Sequence, residues 1–177
     1  MKEWRDEAYV LATRALGETD LIVSLLAEHH GKVRGVARSA RRSRRRFGGL
    51  LEPLTHVRAV WVEKPGRELH RIEGLEGVRS FAEMQSDPVC QAACAVLVEI
   101  CDVFSREGQA EGKGFKLLGA VLDSLNGGSE RWTMLRYFEY WTLRLHGLLP
   151  DVESCAICGR RLPRPSNTGV ARPIHHF

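Results

Sequence analysis

Near residue 80 the hydrophobic period of this chain changes from two to 3.6, and neither a lone sheet nor a lone helical bundle can accommodate both halves. Before the change, Ala8 to Leu16 and Leu21 to Leu26 are apolar, β-prone runs parted by the turn signal Gly17-Glu18-Thr19-Asp20. His29-His30-Gly31-Lys32 makes the next turn and Val33 to Ala37 a third strand. There Val33, Gly35 and Ala37 face one way, while Arg34, Val36 and Arg38 face the other. After an arginine run closed by Gly48-Gly49, Val57 to Glu63 reads as a strand, Pro65-Gly66 as a turn and Leu69 to Glu73 as the partner strand. Five short strands with one long polar loop predict a small closed barrel rather than a sandwich.

Beyond the change, Asp87-Pro88 is a helix start, with Asp as N-cap and Pro at the first helical position. Val89, Ala93, Val96, Ile100 and Phe104 follow as one apolar stripe. Phe115, Leu118, Val121, Leu122 and Leu125 make a second, stopped by Asn126-Gly127-Gly128. Trp132, Leu135, Phe138, Trp141, Leu145 and Leu149 make a third, whose helix ends at Gly147, with Pro150 barring continuation. Such stripes are packing faces, so this half reads as a helical bundle. From Asp151 to Phe177 periodicity is lost. The expected architecture is α+β in two domains: a β-barrel over 1–80 and an α-helical domain over 81–150, with a C-x-x-C tail over 151–177.

A hydrophobic content of 44% and 27% charged residues suit an ordinary soluble globular protein. The charged opening Met1-Lys2-Glu3-Trp4-Arg5-Asp6-Glu7 is not a secretion signal, and the apolar stretch Val89 to Cys101 is too short to cross a bilayer. A cytoplasmic protein that makes no membrane contact is the expectation.

The net charge of +4 matters less than its distribution. Residues 1–80 carry 16 Lys and Arg against 11 Asp and Glu, whereas 81–149 carry six against nine. Between positions 32 and 46 stand eight cations and no acid: Lys32, Arg34, Arg38, Arg41, Arg42, Arg44, Arg45 and Arg46. Guanidinium groups pair with phosphate oxygens, and each neutralised phosphate releases condensed counterions. Clustered arginines therefore point to strong, salt-sensitive, sequence-independent nucleic-acid binding. The bland alternative is a solvated charged loop. Phe47 is the one aromatic residue at the edge of the run, so base stacking must come from elsewhere on the barrel. Trp61 is a candidate platform, although a core role suits a strand tryptophan better.

Enzyme signatures are missing. Glu111-Gly112-Lys113-Gly114 fails the spacing of a phosphate-binding loop, and no metalloprotease, nucleophile-elbow or dinucleotide motif occurs. His29, His30, His56, His70 and His146 lack partners at ligand spacing and read as structural or solvated. A non-enzymatic binding protein is expected. Cys90, Cys94 and Cys101 lie on one helical face, as buried thiols acting as small hydrophobes. Cys155 and Cys158, in contrast, form half of a zinc site. Adjacent His175 and His176 would be an awkward completion, since a structural zinc wants four ligands.

The order of these features resembles the bacterial recombination mediator family RecO over nearly the whole chain. The likeness rests on Gly17-Glu18-Thr19-Asp20 between apolar strands, His30-Gly31-Lys32, Val36-Ala37-Arg38-Ser39-Ala40-Arg41, Gly147-Leu148-Leu149-Pro150 and Cys155-Ala156-Ile157-Cys158-Gly159. It implies an oligonucleotide-binding (OB-fold) barrel followed by a helical domain that in many members holds a four-cysteine zinc site. It also implies binding of single- and double-stranded DNA, annealing of complementary strands, and help in loading RecA onto DNA coated by single-strand-binding protein (SSB). The implied partners are RecR and the acidic C-terminal tail of SSB, and the implied setting is the bacterial nucleoid. The family's basic residues fall here on Lys32, Arg34, Arg38, Arg41 and Arg42. Lys113, Lys116, Arg131 and Arg136 are the candidate cations for the acidic tail. No cofactor beyond a structural zinc is implied. The family usually has Lys-Gly-Ala-Arg where this chain has Arg38-Ser39-Ala40-Arg41, which keeps charge and gives up glycine's backbone freedom. Family chains also continue through a second C-x-x-C and further helices. This one closes on Gly169 to Phe177, which resembles none of the family, so a C-terminally truncated member is expected. Two other readings compete: a protein-interaction module for SSB or RecR with incidental DNA affinity, and an RNA-binding barrel.

Overall fold

The computed structural model describes residues 2–162 apart from 64, 65, 67, 82, 83, 150, 152 and 156; for Arg44, Arg45 and Gln85 it describes the backbone alone. Five strands, β1 (Lys2–Leu16), β2 (Asp20–Ala27), β3 (Gly31–Ala37), β4 (His56–Glu63) and β5 (His70–Arg79), form a closed barrel in the order β1-β2-β3-β5-β4. This is consistent with the expected oligonucleotide-binding barrel. Neighbours are antiparallel except β3 and β5, joined in parallel by only three residue pairs, Gly35–His70 to Ala37–Ile72. The close fit there needs a glycine, because a Cβ on Gly35 would lie 2.6 Å from Ile72 Cδ1.

Two strands are longer than their sequence patterns suggest. Strand β1 starts six residues before Ala8: Lys2 to Tyr9 pairs with β4, Ala8 to Leu16 with β2, and the β2 register shifts between Val10 and Ala12. Its charged opening hides this extension. Strand β5 runs past Glu73 to Arg79, where Gly77 leaves room for Leu50.

Centrally, β1 is buried on both faces. Ala8 and Val10 join the barrel interior with Val23, Leu25, Val57 and Ile72, while Tyr9 and Leu11 join Leu26, Leu54 and Phe81 in a second core beneath the helices. Trp61 is 2% exposed and belongs to the barrel interior, so the core reading of that tryptophan holds. Phe47, at the edge of the arginine run, is buried in the same cluster.

Helix α2 (Pro88–Phe104) starts as its sequence requires, with the Asp87 carboxylate accepting from the Val89 N–H at 3.1 Å. Helix α3 (Gly112–Asn126) buries Phe115, Leu118, Val121, Leu122 and Leu125, the stripe read from the sequence. Helix α4 (Arg131–Leu145) is capped by Glu130, whose carboxylate accepts from the N–H groups of Trp132 and Thr133. Two faces differ from expectation. In α2 the buried side is Cys90, Ala93, Cys94, Leu97 and Cys101, and Val89 and Val96 are exposed. Small thiols and alanines allow close approach, which the bulkier valines of the adjacent stripe do not. Burial pushes the Cys94 and Cys101 thiols up to about 12, so both are inert small hydrophobes. In α4 the buried residues are Leu135, Phe138 and Thr142; Trp132 and Leu145 stand outside.

Barrel and helices meet at Tyr9 and at the β2–β3 turn. The Tyr9 ring packs on Phe115 with centroids 4.8 Å apart, and its hydroxyl fills the space over Gly119. Gly31 (φ 64°) touches the segment between α2 and α3, and the Lys32 N–H donates to the Arg106 carbonyl at 3.0 Å. The turn is fixed from inside by Asp6, a buried carboxylate that accepts from the His29 N–H (2.8 Å) and contacts Nδ1 of His29 (2.9 Å) and of His30 (2.8 Å). These histidines are structural, as read.

A Cβ on Gly31 would lie 1.9 Å from the Gln109 carbonyl oxygen, in a left-handed backbone. Gly31→Ala should therefore cost about 2–5 kcal/mol, read as a shift of the urea unfolding midpoint. A second expectation concerns pH. Burial alone would raise the Asp6 carboxyl, but hydrogen bonds from His29 and His30 outweigh it and hold it low. The same bond to Asp6 raises the His29 imidazole. Stabilisation by His29 is complete below about pH 6.5 and lost as pH rises through the raised value. That from Asp6 is complete above about pH 4 and lost as pH falls through the lowered value. The Tm gap between the native chain and His29→Gln should peak at about pH 4–6.5 and shrink in alkali; a gap independent of pH would contradict the His29–Asp6 assignment.

Candidate nucleic-acid interface

Strand β3 divides the eight cations. It runs from Gly31, against the helices, to Ala37 at the far end of the barrel, about 20 Å away. Lys32 and Arg34 belong to the helical end. The Lys32 ammonium donates to the Asp102 carbonyl and lies 3.1 Å from its carboxylate, leaving the side chain only 16% exposed. Arg34 reaches Glu107 at 3.7 Å. Both tie the barrel to the helices.

From Arg38 onward the cations gather at the other end. Ser39 adopts φ 54°, the left-handed conformation for which glycine is suited. It is held there because its N–H donates to Asp20 Oδ1 at 2.8 Å, and the Arg41 N–H donates to the Thr19 carbonyl at 3.1 Å. The bond from Ser39, then that from the Thr19 hydroxyl, keep the Asp20 carboxyl below its usual range. Thus the β1–β2 turn Gly17-Glu18-Thr19-Asp20 braces the arginine segment, a partnership that no local pattern reveals. The segment is not wholly a loop: Arg44–Phe47 forms one helical turn, α1. Phe47 anchors it in the barrel, Arg46 lies over that ring at 5.1 Å, and Arg46 Nη2 donates to the Arg38 carbonyl at 2.8 Å. Arg38, Arg41 and Arg42 are exposed on this braced frame. The side chains of Arg44 and Arg45 lie outside the described residues.

The four candidate cations on the helices do not form one cluster. Lys113 is exposed, Lys116 lies 3.7 Å from Glu28, Arg131 pairs with Asp87, and Arg136 is 2.6 Å from Glu139. Lys113 and Arg131 begin successive helices whose opposite ends meet, since His146 after α4 approaches Glu111 before α3 at 3.9 Å. They therefore occupy opposite ends of the hairpin.

Cys155 and Cys158 flank a tight turn closed by Gly159 N–H to the Cys155 carbonyl and by Cys155 N–H to the Arg160 carbonyl, both 2.9 Å. Backbone N–H groups of Cys158 and Ile157, with the Cys158 side chain, lower the Cys155 thiol below its ordinary value, which favours the thiolate a metal takes. Among the described residues no group of three or more potential ligands occurs, and His175 and His176 lie outside them. The turn thus fits half of a four-ligand site. No helix among the described residues is long and apolar enough to cross a membrane.

Two family models match the chain: Recombination protein O N terminal over residues 1–81 and Recombination protein O C terminal over residues 85–167. The DNA repair protein RecO of Koribacter versatilis (strain Ellin345) is 39% identical over 158 residues, covering 89% of this chain and 64% of that protein. The DNA repair protein RecO of Anaeromyxobacter sp. (strain K) is 40% identical over 150 residues, covering 85% and 59%. That of Myxococcus xanthus (strain DK1622) is 35% identical over 159 residues, covering 90% and 65%. The chain thus spans about six tenths of the length of these relatives.

The strain at Ser39 gives a direct test of how the arginine segment is held. Ser39→Gly relieves a left-handed cost of about 1–2 kcal/mol against glycine's extra entropy of about 0.5–1 kcal/mol. The variant should be equal to or up to about 1 kcal/mol more stable than the native chain in urea titration, and Ser39→Val clearly less stable.

Proposed function

The chain belongs to the RecO family of DNA repair proteins, and on that footing we propose that its barrel binds single- and double-stranded DNA through the arginine segment, without catalysis. The observation that carries this reading is the braced frame of exposed Arg38, Arg41 and Arg42 at the barrel end away from the helices. Fixed guanidinium groups lose little freedom on meeting phosphates, and arginine–phosphate contacts carry no sequence information. The wider activity proposed is that of a recombination mediator: annealing complementary strands and, with RecR, helping to load RecA on DNA coated by SSB. The helical half is proposed to meet the protein partners, including the acidic SSB tail, with Lys113, Lys116, Arg131 and Arg136 as the available cations. Neither catalysis nor a soluble cofactor enters the proposal. A structural zinc, if held, would take Cys155 and Cys158 and require further ligands from outside the described residues.

Anisotropy of a labelled single strand across a salt series tests the reading. A segment that grips about three to five phosphates should give log K falling with log salt at a slope of roughly −2 to −3.5. Substituting Arg41, Arg42, Arg44 and Arg45 by alanine, while keeping Arg46 for its contacts with the loop, should remove most of that slope. An unchanged slope in a folded variant would reject the segment as the DNA site and favour a protein-interaction module. Matched RNA should bind no more tightly than DNA.

A further inference from the structure

A second feature lies at the same end of the barrel. Between the β1–β2 turn, the end of β3 and the start of β5 is an open cavity of about 460 Å³, lined by Leu16, Asp20, Val36, Arg38, Glu68, Leu69, His70 and Arg71. That volume lies in the usual range of ligand sites, roughly 300–1,000 Å³. Its charges cancel, two guanidinium groups against two carboxylates. Asp20 is already engaged by Ser39 and Thr19, and Arg71 by Glu73 at 2.8 Å. The lining is therefore not a phosphate site. Leu16, Val36 and Leu69 give it apolar walls, and Leu16 is 42% exposed although it stands beside the most basic stretch of the chain. Such an apolar recess with cations at its rim matches the chemistry of a nucleotide, whose flat, weakly polar base is joined to a charged phosphate.

We propose that this cavity receives one unstacked base of a single strand whose neighbouring phosphates lie on Arg38, Arg41 and Arg42. The inference rests on the DNA-binding reading above and adds a discriminator to it. Phosphate contacts alone treat single and double strands alike, whereas a base can enter a recess only when it is free of its complement. Arg38 belongs to both features, because it lines the cavity and begins the arginine segment. A bound strand would run from the segment across the mouth of the recess, over the short parallel seam between β3 and β5.

The test compares three labelled probes by anisotropy: a short oligothymidylate, a strand of equal length in which every base is replaced by an abasic sugar, and a duplex of that length. The native chain should bind oligothymidylate about 5- to 20-fold more tightly than the abasic strand, the effect of burying or stacking one base. A Leu16→Ala, Leu69→Ala double variant, shown by circular dichroism to be folded, should lose that preference while its duplex affinity stays unchanged. Equal binding of oligothymidylate and the abasic strand by the native chain overturns the cavity assignment, as does a folded double variant that retains the preference. Should both strands bind equally, yet release when Arg41 and Arg42 are replaced by alanine, the DNA-binding reading stands and only the cavity falls. If none of the three probes binds, both fall.

Discussion

Tyr9 stands where two hydrophobic cores meet, and the arrangement of the molecule follows from the burial of its strand on both faces. Its neighbours Ala8 and Val10 point into the barrel while Tyr9 and Leu11 point into the helices, so one stretch of β1 is a wall common to both. The phenol is buried deeply enough that desolvation pushes it up to about 12. Around that wall the polar contacts are local and specific: Asp6 on the two turn histidines, Lys32 on Asp102, and the Arg79 guanidinium on the Asp123 carboxylate. Hydrophobic area holds the two halves together, and these bonds fix their angle.

The division of the basic residues depends on the same geometry. A run of eight cations reads as one patch along the sequence, but a strand is a ruler of about 3.3 Å per residue. By the time β3 reaches Ala37 it has left the helices behind. The acids that neutralise Lys32 and Arg34 lie on α2 and just beyond it, and no acid of the helical half is recorded pairing with Arg38, Arg41 or Arg42 among the described residues. Identical chemistry thus serves as glue at one end of the strand and is left available at the other.

Much of this was legible from the residues. The change of period near residue 80, the Asp87-Pro88 start of α2, the alternation of β3, the core place of Trp61 and the buried cysteines were each carried by local signals, and local signals survive folding. What escaped depends on partners distant in the chain. The start of β1 is charged and pairs with β4 more than fifty residues away. The outer valines of α2 match a helical stripe as well as the buried cysteines do, and only the size of the facing side chains decides between them. The bond from Ser39 to Asp20 spans 19 residues and has no motif. The recess beside it is assembled from three separate segments, none of which is unusual alone.

The double-sided burial of β1 also bears on synthesis. The barrel strands leave the ribosome before the helices, and until α2 and α3 follow, Tyr9, Leu11, Leu26 and Leu54 face water on the outside of a barrel that is otherwise able to close. The 47 residues from Arg79 to the end of α3 take about 2–9 s to add at ordinary elongation rates. During that interval the nascent chain displays an apolar flank beside the cluster of arginines. Such a surface invites chaperones and anionic RNA alike, so the order in which the two halves appear is itself a hazard that this fold has to survive.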